Sequence, residues 1–587
     1  HRIQLQQLRR THLMPEKDAE QRALARSILS PERNGTLSAE QMLKAWQKIK
    51  RNVRSLHERI FFRPLLAAVS TLSRDEVVLS EQAAQDRLAA LGYRDPRGAM
   101  RHIKALTTGL SRSADIQRHL MPVLLGWFAR GVDADAGLLG FRIVSESLGS
   151  TSWYLRMLRD SPAAAERLSQ LLSSSRLMTD LLEDASASIA WLDKVADLKP
   201  LGEEALASEI SSLLARHEDA AEAMRAVRYL RRRETLRTAM GWTLGIVDIE
   251  DTCAGLAAID ECTIGAALQI ALRELQAVPG GAEGAEAEDA TGEKLLTRIA
   301  VIGMGRLGGA ENGFGSDADV MFVHEPLDGA DEDAAQEQAA RIVNRTLALL
   351  KQPVKPAIRA ERPLEVDADL RPEGKQGAIV RSLDSYRSYY ERWAETWEFQ
   401  ALTRARPIAG DEELGRAFVE LIDPYRYPAA FAPEQVQQIR RMKARVENER
   451  MPHGADRTRQ LKLGRGGLSD VEWLVQLVQL RHAHAVPGLR TTSTLKALNA
   501  AVEAGLIEAA DAEILSGAWL LATKIRGGNV LRGVRQSDTL PSGRADLEAI
   551  ARWCGYPAGS ARALEEDYLR QTRNARKVYE RLFFEEL

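Results

Sequence analysis

The stretch Gly303-Met304-Gly305-Arg306-Leu307-Gly308-Gly309-Ala310-Glu311-Asn312-Gly313-Phe314-Gly315-Ser316-Asp317-Ala318-Asp319 lies between two apolar runs, Arg298 to Gly303 and Val320 to Val323. Short apolar runs bounded by glycine read as buried strands. Gly303, Gly305 and Gly308 satisfy the pattern G-x-G-x-x-G. A dinucleotide fold needs a helix directly after those glycines, with its N-terminus on the pyrophosphate. Here Ala310 to Ser316 contains Asn312, Gly313 and Gly315, and the next apolar run begins at once. The segment therefore reads as two strands joined by a glycine-rich turn, which argues against a dinucleotide site. No G-x-x-x-x-G-K-[ST] occurs, so a P-loop is excluded as well.

Residues two apart on a strand point to the same side. Asp317 and Asp319 thus present two carboxylates together, immediately after Gly315-Ser316. A second pair follows in Leu364-Glu-Val-Asp367-Ala-Asp369-Leu-Arg371-Pro372. Strands are expected at 297–303, 318–324 and 363–370, with an amphipathic helix at about 332–352 between the last two. A lone D-x-D is usually a solvated strand end. A glycine turn that delivers one pair, with a second aspartate strand downstream, points instead to a metal-nucleotide site. Carboxylates gathered this closely repel one another unless cations join them. Two Mg²⁺ ions would satisfy the charge, activate an attacking hydroxyl and neutralise a leaving pyrophosphate.

The chain has 587 residues, 45% hydrophobic and 28% charged, a globular composition of roughly three or four domains. A net charge of −2 provides no overall basic field for nucleic acid. The local run from Arg228 to Arg237 remains, and such runs are usually solvated helix faces. Cys253, Cys262 and Cys554 form no C-x-x-C, so neither a zinc site nor a disulfide frame is suggested, in keeping with a reducing cytoplasm. No uninterrupted apolar run reaches bilayer length, and no signal peptide is expected.

The two ends of the chain repeat each other. Arg51-Asn-Val-Arg-Ser-Leu-His-Glu-Arg-Ile-Phe-Phe62 and Arg573-Asn-Ala-Arg-Lys-Val-Tyr-Glu-Arg-Leu-Phe-Phe584 are identical at seven of twelve positions. Helical periodicity explains the apolar matches but not Arg-Asn or Phe-Phe. Duplication is the simplest account: residues 1 to about 62 end one copy and the remainder is a second. The chain starts at His1 already in helical sequence, as a piece of something longer would. Residues 66 to about 215 read as successive helices with breaks at Gly92 to Pro96, Gly149 to Ser152 and Lys199 to Gly202. Pro279 to Asp289 is an acidic, low-complexity loop, and from Asp384 onward the pattern is helical again.

Gly-Ser-Asp-x-Asp with a later strand aspartate resembles the nucleotidyltransferase superfamily. The flanking motifs Gly303 to Gly309, Glu365 to Pro372, Gln400 to Arg406 and Lys462-Leu-Gly-Arg-Gly-Gly-Leu-Ser-Asp-Val-Glu-Trp473 resemble those of glutamine synthetase adenylyltransferases. The resemblance covers most of residues 82 to 587. That family is a tandem duplication: one half attaches AMP to a tyrosine of glutamine synthetase, and the other removes it by phosphorolysis. Asp470 before Val471-Glu472 is similar to the transferase half, where the removing half has Arg-Glu.

The resemblance implies an α+β, predominantly helical fold: a nucleotidyltransferase core with a small mixed sheet, flanked by helical bundles. It implies a helical tail of the removing half at 1–65, a helical regulatory or linker region at 66–215, the catalytic core at 216–410 and a C-terminal helical domain at 411–587. Carried over by position, Asp317, Asp319 and Asp367 would bind the metals, and Asp367 would help deprotonate the tyrosine. Gly315, Ser316, Arg371 and Lys462 would contact ATP. Asp470 and Glu472 are further candidates, or else members of a salt-bridge network. Arg404 and Arg406 would meet phosphate, the target protein or a loop. His482 and His484 read as helix residues rather than ligands. At Asp369 the family more often has arginine, which leaves that residue's part in the site open.

The implied cofactors are Mg²⁺ and the substrate ATP. The implied partners are glutamine synthetase, the PII signalling protein and glutamine, with neither nucleic acid nor membrane. Rival readings are phosphorolytic deadenylylation, a nucleic-acid nucleotidyltransferase and a non-catalytic regulatory scaffold.

Overall fold

The alternation of apolar and glycine-rich sequence around residue 310 produces the central strand pair of a sheet, and the rest of the chain builds helices around it. The computed structural model describes residues 3, 14–15, 17–28, 37–57, 81–108, 112–148, 151–277, 293–358, 361–533 and 537–586. They fall into two compact units, His1–Ala129 and Arg130–Leu587.

The first unit is built of helices. Asp18–Arg26 and Ala39–His57 meet through Leu24, Ala25 and Met42. The break expected at Gly92 to Pro96 is present: Gly92 has φ +107°, and Asp95 caps Pro96–Thr107 by accepting the Gly98 N–H at 2.9 Å. Residues 51–57 of the repeat are helical, like their counterparts in the closing helix Ala561–Glu580. Residues 58–62, the 65/66 boundary, residues 149 and 150, and the acidic loop Pro279 to Asp289 lie outside the described residues.

The second unit contains, among others, helices α1 (Arg176–Asp184), α2 (Ala220–Thr243) and α3 (Ile249–Gln276). Strands β1 (Thr297–Gly303) and β2 (Ala318–Pro326) follow, then helix α4 (Glu332–Lys351). Strands β3 (Val366–Asp367), β4 (Val380–Ser382) and β5 (Arg406–Gly410) complete a five-stranded sheet. Its order is β3-β2-β1-β5, with β4 also on β2. β1 runs antiparallel to β2 and β5, whereas β3 and β4 run parallel to β2, so the sheet is mixed, as expected. Both faces are covered. Ile299, Val301, Val320 and Phe322 pack with the α3 and α4 layer. Ala300, Ile302, Met321 and Val323 pack with Tyr386, Leu414 and Phe418. That period of two is why the strands read as continuous apolar runs. Beyond the sheet, α5 (Pro433–Glu449), α6 (Leu468–His482), α7 (Thr494–Glu503), α8 (Ala509–Leu531) and α9 (Ala561–Glu580) enclose a separate apolar core that includes Leu474, Trp519 and Tyr568.

Three expectations need correction. The strand expected over 363–370 is only two residues long. It is entered through Glu365, whose carbonyl accepts the Ala318 N–H at 2.8 Å. It ends when the Asp369 N–H turns back onto Asp367 Oδ1 at 2.7 Å. β5 lies in sequence read as helical; it contains Pro407, pairs across a bulge and shows no clean alternation. α3 is long and apolar enough to cross a membrane by length and composition, but Asp260 and Glu261 interrupt it, so the expectation of no uninterrupted apolar run of that length holds. The most apolar window of α3 is 78% buried, which makes it the central helix behind the sheet. Finally, the arginine run on α2 is not a solvated face. Arg228, Arg232 and Arg237 are buried, and Glu361, Asp184 and Glu234 are their respective ion partners.

Candidate active site

The site is built at the point where β2 begins. Ala318 and Val320 turn toward α3 and α4, so Asp317 and Asp319 share the opposite side. The glycine turn closes tightly over this end. The Met304 N–H donates to the Asp319 carbonyl at 2.8 Å, and Gly305–Gly308 forms a single helical turn. Gly305 has φ +51°, and a Cβ there would lie 2.2 Å from Asp319 Oδ2. Only glycine suits both the conformation and the space.

β3 supplies the remaining carboxylate. Its parallel register places Asp367 opposite Asp319. Carboxylate oxygens of Asp317, Asp319 and Asp367 all lie within 4.8 Å of one another. Asp317 is exposed, and the other two are half-buried. Burial, then the Asp317 and Asp367 charges, push the Asp319 carboxyl up to about 7, while Lys462 acts in the opposite sense. Anionic oxygen donors clustered in this way suit a hard divalent cation, whose charge would relieve the repulsion.

The other expected residues divide by position. Lys462 and Gly305 line a cleft of about 750 Å³ that opens beside the carboxylates, between the sheet and helices α5 and α6. Trp397, Trp473 and Glu472 line it too. Gly315 is exposed at φ +70°. Ser316 accepts the Gly313 N–H at 3.0 Å, which fixes the turn just before Asp317. Arg371 donates to the carbonyls of Ala368, Gly377 and Lys375 at 2.8, 3.1 and 3.3 Å, tying down the exit from β3. Asp369 does not join the triad. It sits in that exit turn, 3.7 Å from Arg371 and 3.3 Å from Lys375.

Asp470 is buried behind the Lys462 loop. It accepts the Gly466 N–H at 2.7 Å and pairs with Lys443 at 2.7 Å and Arg576 at 3.0 Å. Glu472 accepts Trp519 Nε1 at 3.3 Å and lies 3.9 Å from Arg306. Arg404 is buried against Glu311 and the Thr492 carbonyl, and Arg406 pairs with Glu261. His482 is half-buried at the end of α6, and His484 is exposed beyond it.

Two turn residues carry more structure than their sequence suggests. Buried Glu311 accepts the Thr494 N–H at 2.6 Å and its hydroxyl at 3.0 Å, capping α7. Asn312 donates to Asp260 on α3 at 3.0 Å. Their signal was no more than a polar pair inside a glycine-rich turn.

Comparison with known proteins finds a family profile that is similar to this part of the chain. Residues 165–421, which contain the whole sheet and triad, match the profile described as glutamate-ammonia ligase adenylyltransferase. A further profile, GlnD PII-uridylyltransferase, matches residues 1–61 and 440–583, the two segments that carry the internal repeat. Similar proteins align along the whole chain. A protein of Leifsonia xyli subsp. xyli, named bifunctional glutamine synthetase adenylyltransferase/adenylyl-removing enzyme, is 49% identical over 100% of this chain and 56% of its own length. Proteins of the same name from Streptomyces avermitilis and Streptomyces coelicolor are each 48% identical over 100% of this chain and 58% of their own lengths. The chain thus spans about half the length of the curated relatives it matches.

Proposed function

We propose that this chain carries the AMP-adding centre of a glutamine synthetase adenylyltransferase. The observation that carries the reading is the convergence of Asp317, Asp319 and Asp367 beside a large cleft, within the segment matched by the family. The acceptor is a tyrosine hydroxyl of glutamine synthetase and the donor is ATP. The tyrosine oxygen forms a bond to the α-phosphorus as the bond to the bridging oxygen breaks. Pyrophosphate leaves with that electron pair, and Asp367 takes the phenolic proton. Asp317, Asp319 and Asp367 would hold Mg²⁺, two ions by the charge of the site, which when bound supplies Lewis-acid stabilisation of the phosphates. Gly315, Ser316 and Lys462 meet the triphosphate. Arg371 acts by fixing the β3 exit.

Residues 216–410 form the catalytic core on this reading. Residues 411–587 close the cleft, 66–215 form the regulatory region and 1–65 the tail of the other half. The match of one profile to both ends supports this duplication. PII and glutamine are the effectors the family resemblance suggests, and the cytoplasm is the compartment.

The test supplies the chain with labelled ATP, Mg²⁺ and unmodified glutamine synthetase. Label should appear on one tyrosine of the synthetase and be lost with Asp319→Asn while the circular-dichroism spectrum stays unchanged. Equal labelling by that variant rejects the site. The relatives' names also include adenylyl removal. Release of ADP from AMP-glutamine synthetase by phosphate, without forward labelling, would select that reaction for the same carboxylates.

A further inference from the structure

A cavity of about 300 Å³ lies behind the catalytic turn, on the side of Gly315 and Ser316 that faces α1 and α2. That volume is at the lower end of what small-molecule sites use. Its polar wall holds more arginine than carboxylate. Arg228, Arg231, Arg232 and Arg362 line it, against the two carboxylates Glu361 and Glu365. Glu361 is already engaged by Arg228, Asp260 by Arg231 at 2.7 Å and Asp184 by Arg232 at 3.7 Å. Arg362 is exposed and forms no ion pair among the described residues. The opposite wall is apolar, with Leu181 from α1 and Val530 from α8. A basic wall facing an apolar one fits an anionic head group on a short apolar stem, because guanidinium forks bind carboxylate and phosphate in pairs of hydrogen bonds.

The cavity also reaches the catalytic turn by two routes. Gly315 and Ser316 form part of its wall, immediately before Asp317. In addition, Arg231 holds Asp260, and Asp260 accepts Asn312 of the same turn at 3.0 Å. We infer that this cavity is a second ligand site, separate from the nucleotide cleft, for a small organic carboxylate with a short apolar stem, and that its occupancy alters AMP transfer through the turn that carries Asp317. The regulatory part rests on the triad being the transfer site; the binding part does not.

Ligand-observed NMR on the full chain tests binding, with n-butyrate and inorganic phosphate as separate probes, each with and without a non-hydrolysable ATP analogue. Butyrate should bind saturably at one site, at least fivefold more tightly than phosphate, and be unaffected by the nucleotide analogue. Arg362→Gln, which removes an exposed charge, should weaken it at least fivefold. Thr235→Leu should abolish it by filling the wall. The Thr235 hydroxyl bonds only its own helix, at the Arg231 carbonyl, so the change breaks no tertiary hydrogen bond. Both variants should keep basal AMP transfer within twofold of the parent and lose any response of the transfer rate to butyrate.

Displacement of butyrate by the nucleotide analogue would assign the cavity to the nucleotide site and overturn the proposal. So would the absence of saturable binding, tighter binding of phosphate, or binding that survives both variants. If binding behaves as expected while the parent shows no transfer activity, the cavity stands and the function proposed for the triad falls.

Discussion

The start of β2 and the end of β3 carry the same pattern, Asp-Ala-Asp, and treat it in opposite ways. At β2 the strand continues for nine residues, so Asp317 and Asp319 stay on one side and both face the site. At β3 the ladder lasts two residues, so Asp367 remains opposite Asp319 while Asp369 is carried into a turn against Arg371 and Lys375. Spacing alone places two side chains on one face only while the backbone remains extended. The same dipeptide separation is therefore a same-side pair in one region and a split pair in the other.

The largest expected effect comes from the three carboxylates. Asp317→Asn, Asp319→Asn and Asp367→Asn should each lower AMP transfer by about 10³-fold, the scale of removing a charge-stabilising group from a reaction centre. If Asp369→Asn proved as damaging as Asp367→Asn, the contrast between the pairs would collapse.

Backbone substitutions come next. Gly305→Ala introduces a Cβ at positive φ into the space of Asp319 Oδ2 and should cost about 10²-fold in activity and about 1–2 kcal/mol in stability. Gly374, in the β3 exit turn, also has positive φ at +57°, but a Cβ there meets only the Asp369 carbonyl at 3.6 Å. Gly374→Ala should therefore show a denaturation midpoint lowered by the equivalent of about 1 kcal/mol, with activity nearly unchanged.

Proton linkage gives a smaller signal. Asp319 titrates near 7 in the fold, above the ordinary carboxylate value of about 4. Its contribution to stability is greatest below about pH 4, falls as pH rises toward about 7, and is constant above that. In metal-free solution at pH 8, Asp319→Asn should thus be more stable than the parent, by up to about 4 kcal/mol, and this advantage should vanish near pH 4. Mg²⁺ should raise the parent's melting temperature at pH 8 and bind more tightly as pH passes upward through about 7. A pH-independent affinity would remove the coupling between burial and cation binding. The smallest effect belongs to Asp369→Asn, which should change transfer by less than about threefold, because an exposed ion pair contributes little.

β1, β2, α4 and the absence of a dinucleotide helix were legible in the sequence because each depends on local periodicity and glycine placement. β4 and β5 were not. Strands of three and five residues with polar or proline positions carry too little pattern, and their partners supply the pairing energy. The arginines of α2 misled for a related reason. Their helix was clear, yet burial depended on the distant partners Glu361 and Asp184, which sequence spacing cannot reveal. Arg404 and Asp470 likewise became positioning residues only once Glu311, Lys443 and Arg576 stood beside them.

By itself the sequence determined a glycine turn that aims two aspartates, a later aspartate on an extended segment, and a repeated end. These follow from the chain's own steric rules over a few residues. Only the tertiary structure decided which later aspartate completes the triad. The parallel pairing of Asp319 with Asp367 spans an intervening helix, and side-chain packing on both faces of the sheet fixes its register.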